Sequence, residues 1–209
     1  MSYRYIAFDV DGTLLDTLPV SLQMLRQTLL EFTGRDFPIQ RLHSTMGRSN
    51  EDALALLGLD YSQALIDRWL ELQRAAGNVQ MFPAIPETLA QLKHRGCILG
   101  IVTSRNRKEY EMDRRLLDQI EGMMDHVVLY EMTREHKPSP QPLQKFMELS
   151  GAAPEETLYV GDAAWDMRCA AAAGAKGALA LWGALDGTVP ADLYLAAPEG
   201  LLGGNEADS

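Results

Sequence analysis

The chain opens on an apolar run, Tyr5-Ile6-Ala7-Phe8, that breaks abruptly at Asp9-Val10-Asp11-Gly12-Thr13. Such a run ending in turn-forming residues predicts a buried strand whose carboxyl end carries two acids. From about Pro19 to Gln80 the spacing changes: Leu22, Leu25, Leu29 and Phe32 recur at three- and four-residue steps, and so do Leu54, Leu57, Leu65, Trp69 and Leu72. That period predicts amphipathic helices, punctuated by Gly34, Pro38 and Gly58, with a helix start over residues 49–52. Beyond Met81, strand-like and helix-like stretches alternate. Helices are predicted at 83–93, 107–117, up to 149 and at 164–173, and strands at 97–102, 125–130, 157–160, 178–182 and 193–195. This alternation implies right-handed crossovers and a mainly parallel sheet covered on both faces. The fold class is therefore α/β, a Rossmann-like core of residues 1–16 and 82–209, with residues 17–81 inserted as a helical bundle after the first strand. Residues 203–209 have little to pack and are expected to fray.

Composition narrows the partners more than it changes this picture. The 209 residues are 46% hydrophobic and 23% charged, enough for a full core. A net charge of −10 argues against a nucleic-acid binder, and no basic run suits an anionic membrane. Cys97 and Cys169 are too few for a disulfide framework and read as reduced, packed thiols. No apolar run is long enough to span a bilayer, and the N-terminus shows no charged leader or cleavage site. A cytoplasmic monomer is the expectation.

Chemistry concentrates where predicted strands end. Strand alternation puts Asp9 and Asp11 on one face, and their mutual repulsion calls for a hard cation, for which Mg2+ with its taste for carboxylate and phosphate oxygens is the economical choice. Thr103 and Ser104 follow the second strand and offer small hydroxyls to phosphate oxygens, though on these residues alone an ordinary helix cap is the better reading. Lys137 lies in Glu135-His136-Lys137-Pro138-Ser139-Pro140, where stiff backbone can present a point charge to phosphate; an isolated lysine is otherwise a surface residue. Asp162 and Asp166, four residues apart at a strand-to-helix junction, can face the same side or simply suit the helix dipole.

Together these four segments, in this order, resemble the motifs of the haloacid dehalogenase superfamily, in its phosphatase branch with a helical cap, phosphoglycolate phosphatase-like. Asp9-Val10-Asp11-Gly12-Thr13 matches the first motif, Thr103 the second, Lys137 with its prolines the third, and Gly161-Asp162 through Asp166 the fourth. One departure is Ala163, where many relatives place a serine. The resemblance implies a Mg2+-dependent phosphatase of a small phosphorylated metabolite. Asp9 would be the nucleophile and Asp11 the acid–base. Thr103, Ser104 and Lys137 would bind phosphate. Asp9, Asp162 and the Asp11 backbone carbonyl would hold the metal, with Asp166 supporting from behind. Arg48, in Met46-Gly47-Arg48-Ser49, becomes a cap contact to the leaving group, whereas Arg105 and Arg107 could line the entrance but are expected to face solvent. The histidines stay unassigned. A phosphomutase would use the same motifs, and a non-catalytic phospho-acceptor is the alternative from another class.

Overall fold

The computed structural model describes residues 3–203; the first two residues and most of the tail expected to fray lie outside the described residues. In chain order, β1 (Tyr5–Phe8) and β2 (Leu15–Asp16) lead into four helices, α1 (Leu18–Thr33), α2 (Ile39–Leu42), α3 (Asn50–Leu56) and α4 (Gln63–Ala76). Then come β3 (Gln80–Met81), α5 (Ile85–His94), β4 (Ile98–Val102), α6 (Arg107–Met112), α7 (Arg114–Glu121) and β5 (His126–Val128). The chain continues through α8 (Gln141–Ser150), β6 (Thr157–Gly161), α9 (Ala164–Ala172), β7 (Lys176–Ala180) and β8 (Leu193–Leu195). Six strands form one parallel sheet in the order β5-β4-β1-β6-β7-β8.

β1 sits mid-sheet and is buried throughout. Its period of two sends Ile6 and Phe8 into one core cluster and Tyr5 and Ala7 into the cluster on the other face. A sheet covered on both faces by crossover helices needs such strands.

The helices between β2 and β3 close a cluster of their own. Leu18, Leu22, Leu25 and Leu29 of α1 pack with Leu65, Ile66, Trp69 and Leu70 of α4, and with Phe37, Leu42, Leu54 and Leu57. Phe32, counted in the apolar series, is instead 46% exposed. It lies in the last turn of α1, beyond Leu29, the last residue that the helix buries. Leu72 is likewise only half-buried.

The antiparallel pair β2–β3 joins the two points where the chain leaves and re-enters the core. At two residues per strand it is too short to leave a period in the sequence. The helix predicted over 107–117 is in fact two, α6 and α7, broken at Asp113, whose backbone leaves the helical region (φ −104, ψ 25). β7 begins at Lys176, earlier than its predicted start, and Trp182 lies beyond it, donating its indole N–H to the Thr13 carbonyl at 2.9 Å. Cys97 and Cys169 are free, the second buried. Among the described residues no helix is long and apolar enough to cross a membrane.

Candidate active site

Parallel pairing of β1 with both β4 and β6 lays three carboxyl ends side by side. In open parallel sheets this is where ligands bind. Asp9 follows β1 directly, its N–H donating to the Val160 carbonyl of β6 at 2.9 Å, and Asp162 follows β6. Between them Gly12 turns with φ +71, and a Cβ there would collide with the Asp162 carboxylate. Gly161 is required in the same way, because a Cβ would strike the Asp166 side chain.

Lys137 reaches this point from the segment preceding α8. Its Nζ stands 2.8 Å from Asp166 Oδ1 and 3.1 Å from Asp9 Oδ1, and it is only 3% exposed. The bland alternative, a solvated surface lysine, is thereby removed. Asp166 also accepts from the Tyr159 hydroxyl and from the Ala163 N–H, each at 3.1 Å, so its oxygens are engaged on the protein side. Thr13 Oγ1 donates to Asp162 Oδ1 at 3.4 Å.

Asp9, Asp162 and Asp166 each bring one carboxylate oxygen within 4.8 Å of the others, and all three are buried. One lysine faces three acids. Burial pushes the Asp9 carboxyl up to about 7; Lys137 opposes the shift, and Asp166 and Asp11 add to it. Asp162 is driven up by burial and then by Asp166 and Asp9, with Lys137 opposing. Burial alone would lower Lys137, but Asp166 and Asp9 hold it well above its ordinary value. Hard oxygens carrying unbalanced buried charge are the donor set that a small divalent cation takes.

Asp11 is placed differently. Arg105 grips it bidentately, Nε to Oδ2 at 2.8 Å and Nη2 to Oδ1 at 2.7 Å, and Thr17 Oγ1 donates to Oδ1 at 2.7 Å. Burial would raise this carboxyl, but Arg105 and Thr17 together hold it below the usual range. The third nitrogen of the fork, Nη1, reaches Asp113 at 2.8 Å and the Glu109 carbonyl at 3.2 Å. Arg105 was expected to face solvent; its side chain is instead 11% exposed. Its main partner lies far away in sequence, and no local spacing announces it. Arg107 is exposed as expected.

Thr103 is buried after β4, and its Oγ1 accepts from the Arg105 N–H at 3.2 Å. It does not cap the following helix, because Asn106 and Glu109 form the capping box of α6. Ser104 Oγ donates to the Gly47 carbonyl at 3.2 Å, tying the core to the helical insertion. Arg48 stacks on Trp165, its guanidinium carbon 3.6 Å from the ring centroid, and donates from Nε to the Ser44 carbonyl. Asp9, Asp11, Ser104 and Arg48 all line one cavity of about 480 Å³ between the insertion and the core. Thus Asp9, Lys137, Asp162 and Asp166 meet at one point, and Asp11 and Arg48 face the same space from other partners. Arg105 and Tyr159 were missed as site residues.

Residues 6–180 match the family described as haloacid dehalogenase-like hydrolase. Among its relatives, a phosphoglycolate phosphatase of Aquifex aeolicus is 32% identical over 95% of both chains. The pyrophosphatase PpaX of Bacillus cereus is 32% identical over 87% of this chain and 85% of its own. Among solved structures, a Lactobacillus plantarum protein assigned as a phosphoglycolate phosphatase superposes with a TM-score of 0.86 at 27% identity, covering 97% of this chain and 99% of that one.

Proposed function

The chain belongs to the haloacid dehalogenase-like hydrolases, and from that premise we propose that it is a Mg2+-dependent phosphatase of small phosphate esters acting through a phosphorylated Asp9. The observation that carries the reading is a buried carboxylate, Asp9, at a strand end that faces a cavity on one side and Lys137, at 3.1 Å, on the other. In this reading an oxygen of Asp9 bonds to phosphorus while the phosphorus–oxygen bond to the leaving group breaks, and Asp11 gives its proton to the departing oxygen. Asp11 then takes a proton from the water that attacks the aspartyl-phosphate, which frees Asp9 and releases phosphate. Lys137, Thr103 and Ser104 hold phosphoryl oxygens, since positioning and charge do most of the work in this chemistry.

Mg2+ fits the acidic cluster: Asp9, Asp162 and the Asp11 backbone carbonyl would hold it, with Asp166 positioning Lys137 from behind. Bound there, the ion supplies positive charge to the phosphoryl oxygens. Residues 17–81 act as the cap, closing the cavity to water, with Arg48 towards the leaving group. Two present contacts must change for turnover. Asp11 has to turn from Arg105 and gain a proton before it can act as an acid, and the Ser104 hydroxyl has to leave the Gly47 carbonyl. Arg105 is on this account a positioning residue for Asp11.

The test is phosphate release from a panel of phosphate esters, with and without Mg2+, in wild type and Asp9→Asn. Activity that needs both the metal and Asp9 supports the reading. Equal rates for the two proteins overturn it.

A further inference from the structure

The cavity that has Asp9 and Asp11 in its wall is larger than phosphoryl transfer needs, and its lining mixes apolar side chains with Gln73, Arg74 and Arg115. Leu18, Trp69 and Leu70 of the insertion face it, and Met112 and Leu116 face it from the core. At about 480 Å³ it falls in the range of pockets that enclose drug-sized ligands. Pyrophosphate or a two-carbon phosphate does not fill a space of this size. Nor is the space merely a gap between two separated parts. The insertion already rests on the core around it: Ser104 donates to the Gly47 carbonyl, Asn50 donates to the Glu109 carboxylate at 2.6 Å, Arg48 stacks on Trp165, and Lys108 pairs with Asp67. Met112 also packs against the insertion's own core cluster.

We infer that the substrate is a phosphate monoester whose alcohol carries an extended apolar or aromatic body, one that lies between α4 of the insertion and the α6–α7 junction of the core. This rests on the phosphatase reading above and adds the class of leaving group to it. The continuity of the apolar walls with Asp9 and Asp11 in one cavity is the argument, because a single ligand can then present its phosphate to the acids and its body to Trp69 and Met112. Selectivity of this kind grows with buried surface, up to about fourfold per fully buried methylene.

The experiment compares kcat/KM with Mg2+ for ethyl, butyl, hexyl and phenylethyl phosphate, whose alcohols are similar leaving groups, beside phosphoglycolate and inorganic pyrophosphate. The expected result is a rise of about tenfold or more from ethyl to hexyl and phenylethyl phosphate. Leu116→Trp, which fills the space from the core side, should lower the hexyl-to-ethyl ratio by about the same factor. A flat or falling alkyl series, or pyrophosphate or phosphoglycolate preferred over every long ester, overturns the inference and leaves the phosphatase reading standing. Absence of Mg2+-dependent release from every compound overturns both. The wild-type series needs no variant to fold.

Discussion

Asp9 and Asp11 stand two residues apart at the same strand end, Asp9 buried and the Asp11 side chain 30% exposed, and their environments push them in opposite directions. Asp9 shares one lysine with Asp166, has Asp162 close by, and is raised to about 7, first by burial. Asp11, only partly buried, has a guanidinium fork and a hydroxyl largely to itself and is lowered. Desolvation pushes both upward. The difference lies in how many acids each cation must serve. A buried carboxylate with a dedicated bidentate partner is satisfied, whereas three carboxylates around one ammonium remain short of positive charge. On this reading the inner cluster is built to be completed by a ligand, and the outer one is complete until something competes for Asp11.

The largest expected effect breaks the comparison at its inner end. Asp9→Asn keeps the shape but removes the attacking oxygen's charge, and kcat on the best ester should fall by about 10^4-fold or more. Lys137→Met comes next: it leaves three buried carboxylates with no cation. A loss of about 3–5 kcal/mol in stability without Mg2+ is expected, read by urea unfolding, since removing one partner of a buried pair strands the other. A Lys137→Met protein as stable as wild type in chelator would contradict the charge shortage.

Metal and pH sharpen the same contrast. Because the folded-state carboxyl of Asp9 is raised to about 7, the folded protein binds more protons than the unfolded chain between the ordinary aspartate range and that value. Asp9 therefore favours folding most at low pH, and this contribution is lost as pH rises through about 7. Asp11 has the opposite sign: its lowered carboxyl stabilises above the ordinary range, and this is lost only as the solution becomes strongly acid. In chelator, Tm should thus decline from pH 5 to pH 8. Mg2+ at about a hundred times its Kd should add about 2.7 kcal/mol, or roughly 5–10 °C, and flatten the decline. Asp162→Asn should abolish most of that gain, and Arg105→Gln should keep it. Equal Mg2+ shifts in wild type and Asp162→Asn would remove Asp162 from the metal site.

At the outer end, Arg105→Gln frees Asp11 from its fork. A loss of about tenfold in kcat/KM is expected, on the scale of misplacing a general acid–base. More tellingly, the limb of the pH–rate profile that reports Asp11 should move to higher pH, since Arg105 is what lowers that carboxyl. Arg105→Lys should restore part of the shift. An unmoved profile would make Arg105 structural only.

The inner cluster was legible in the sequence because its residues sit at element boundaries, where composition changes sharply. Asp9 and Asp162 each end an apolar run, and Lys137 is flanked by prolines. The sheet was legible for the same reason, since buried parallel strands read as continuous apolar stretches. The outer cluster was not legible. Arg105 meets Asp11 across 94 positions, and nothing in either neighbourhood marks the pair. The break at Asp113 was missed with it, because the same fork that holds Asp11 takes the Asp113 carboxylate where α6 ends. The two-residue strands β2 and β3 were invisible because no period fits in two positions.

The smallest effect separates two uses of Arg48, which lines the cavity and stacks on Trp165 at the same time. If its work is to hold the insertion against the core, Arg48→Ala and Trp165→Leu should weaken turnover alike, by a few-fold, since an exposed cation–π contact contributes only about 0.5–1 kcal/mol. If its guanidinium instead meets the leaving group, Arg48→Ala should raise KM for an ester with an anionic terminus while sparing a neutral alkyl ester, and Trp165→Leu should not reproduce that difference. The guanidinium has room for that second use: Arg48 pairs with no carboxylate among the described residues, and its Nε is spent on the Ser44 carbonyl while the rest of the fork remains free. A KM ratio between anionic and neutral esters that is unchanged in Arg48→Ala confines this arginine to the contact with Trp165.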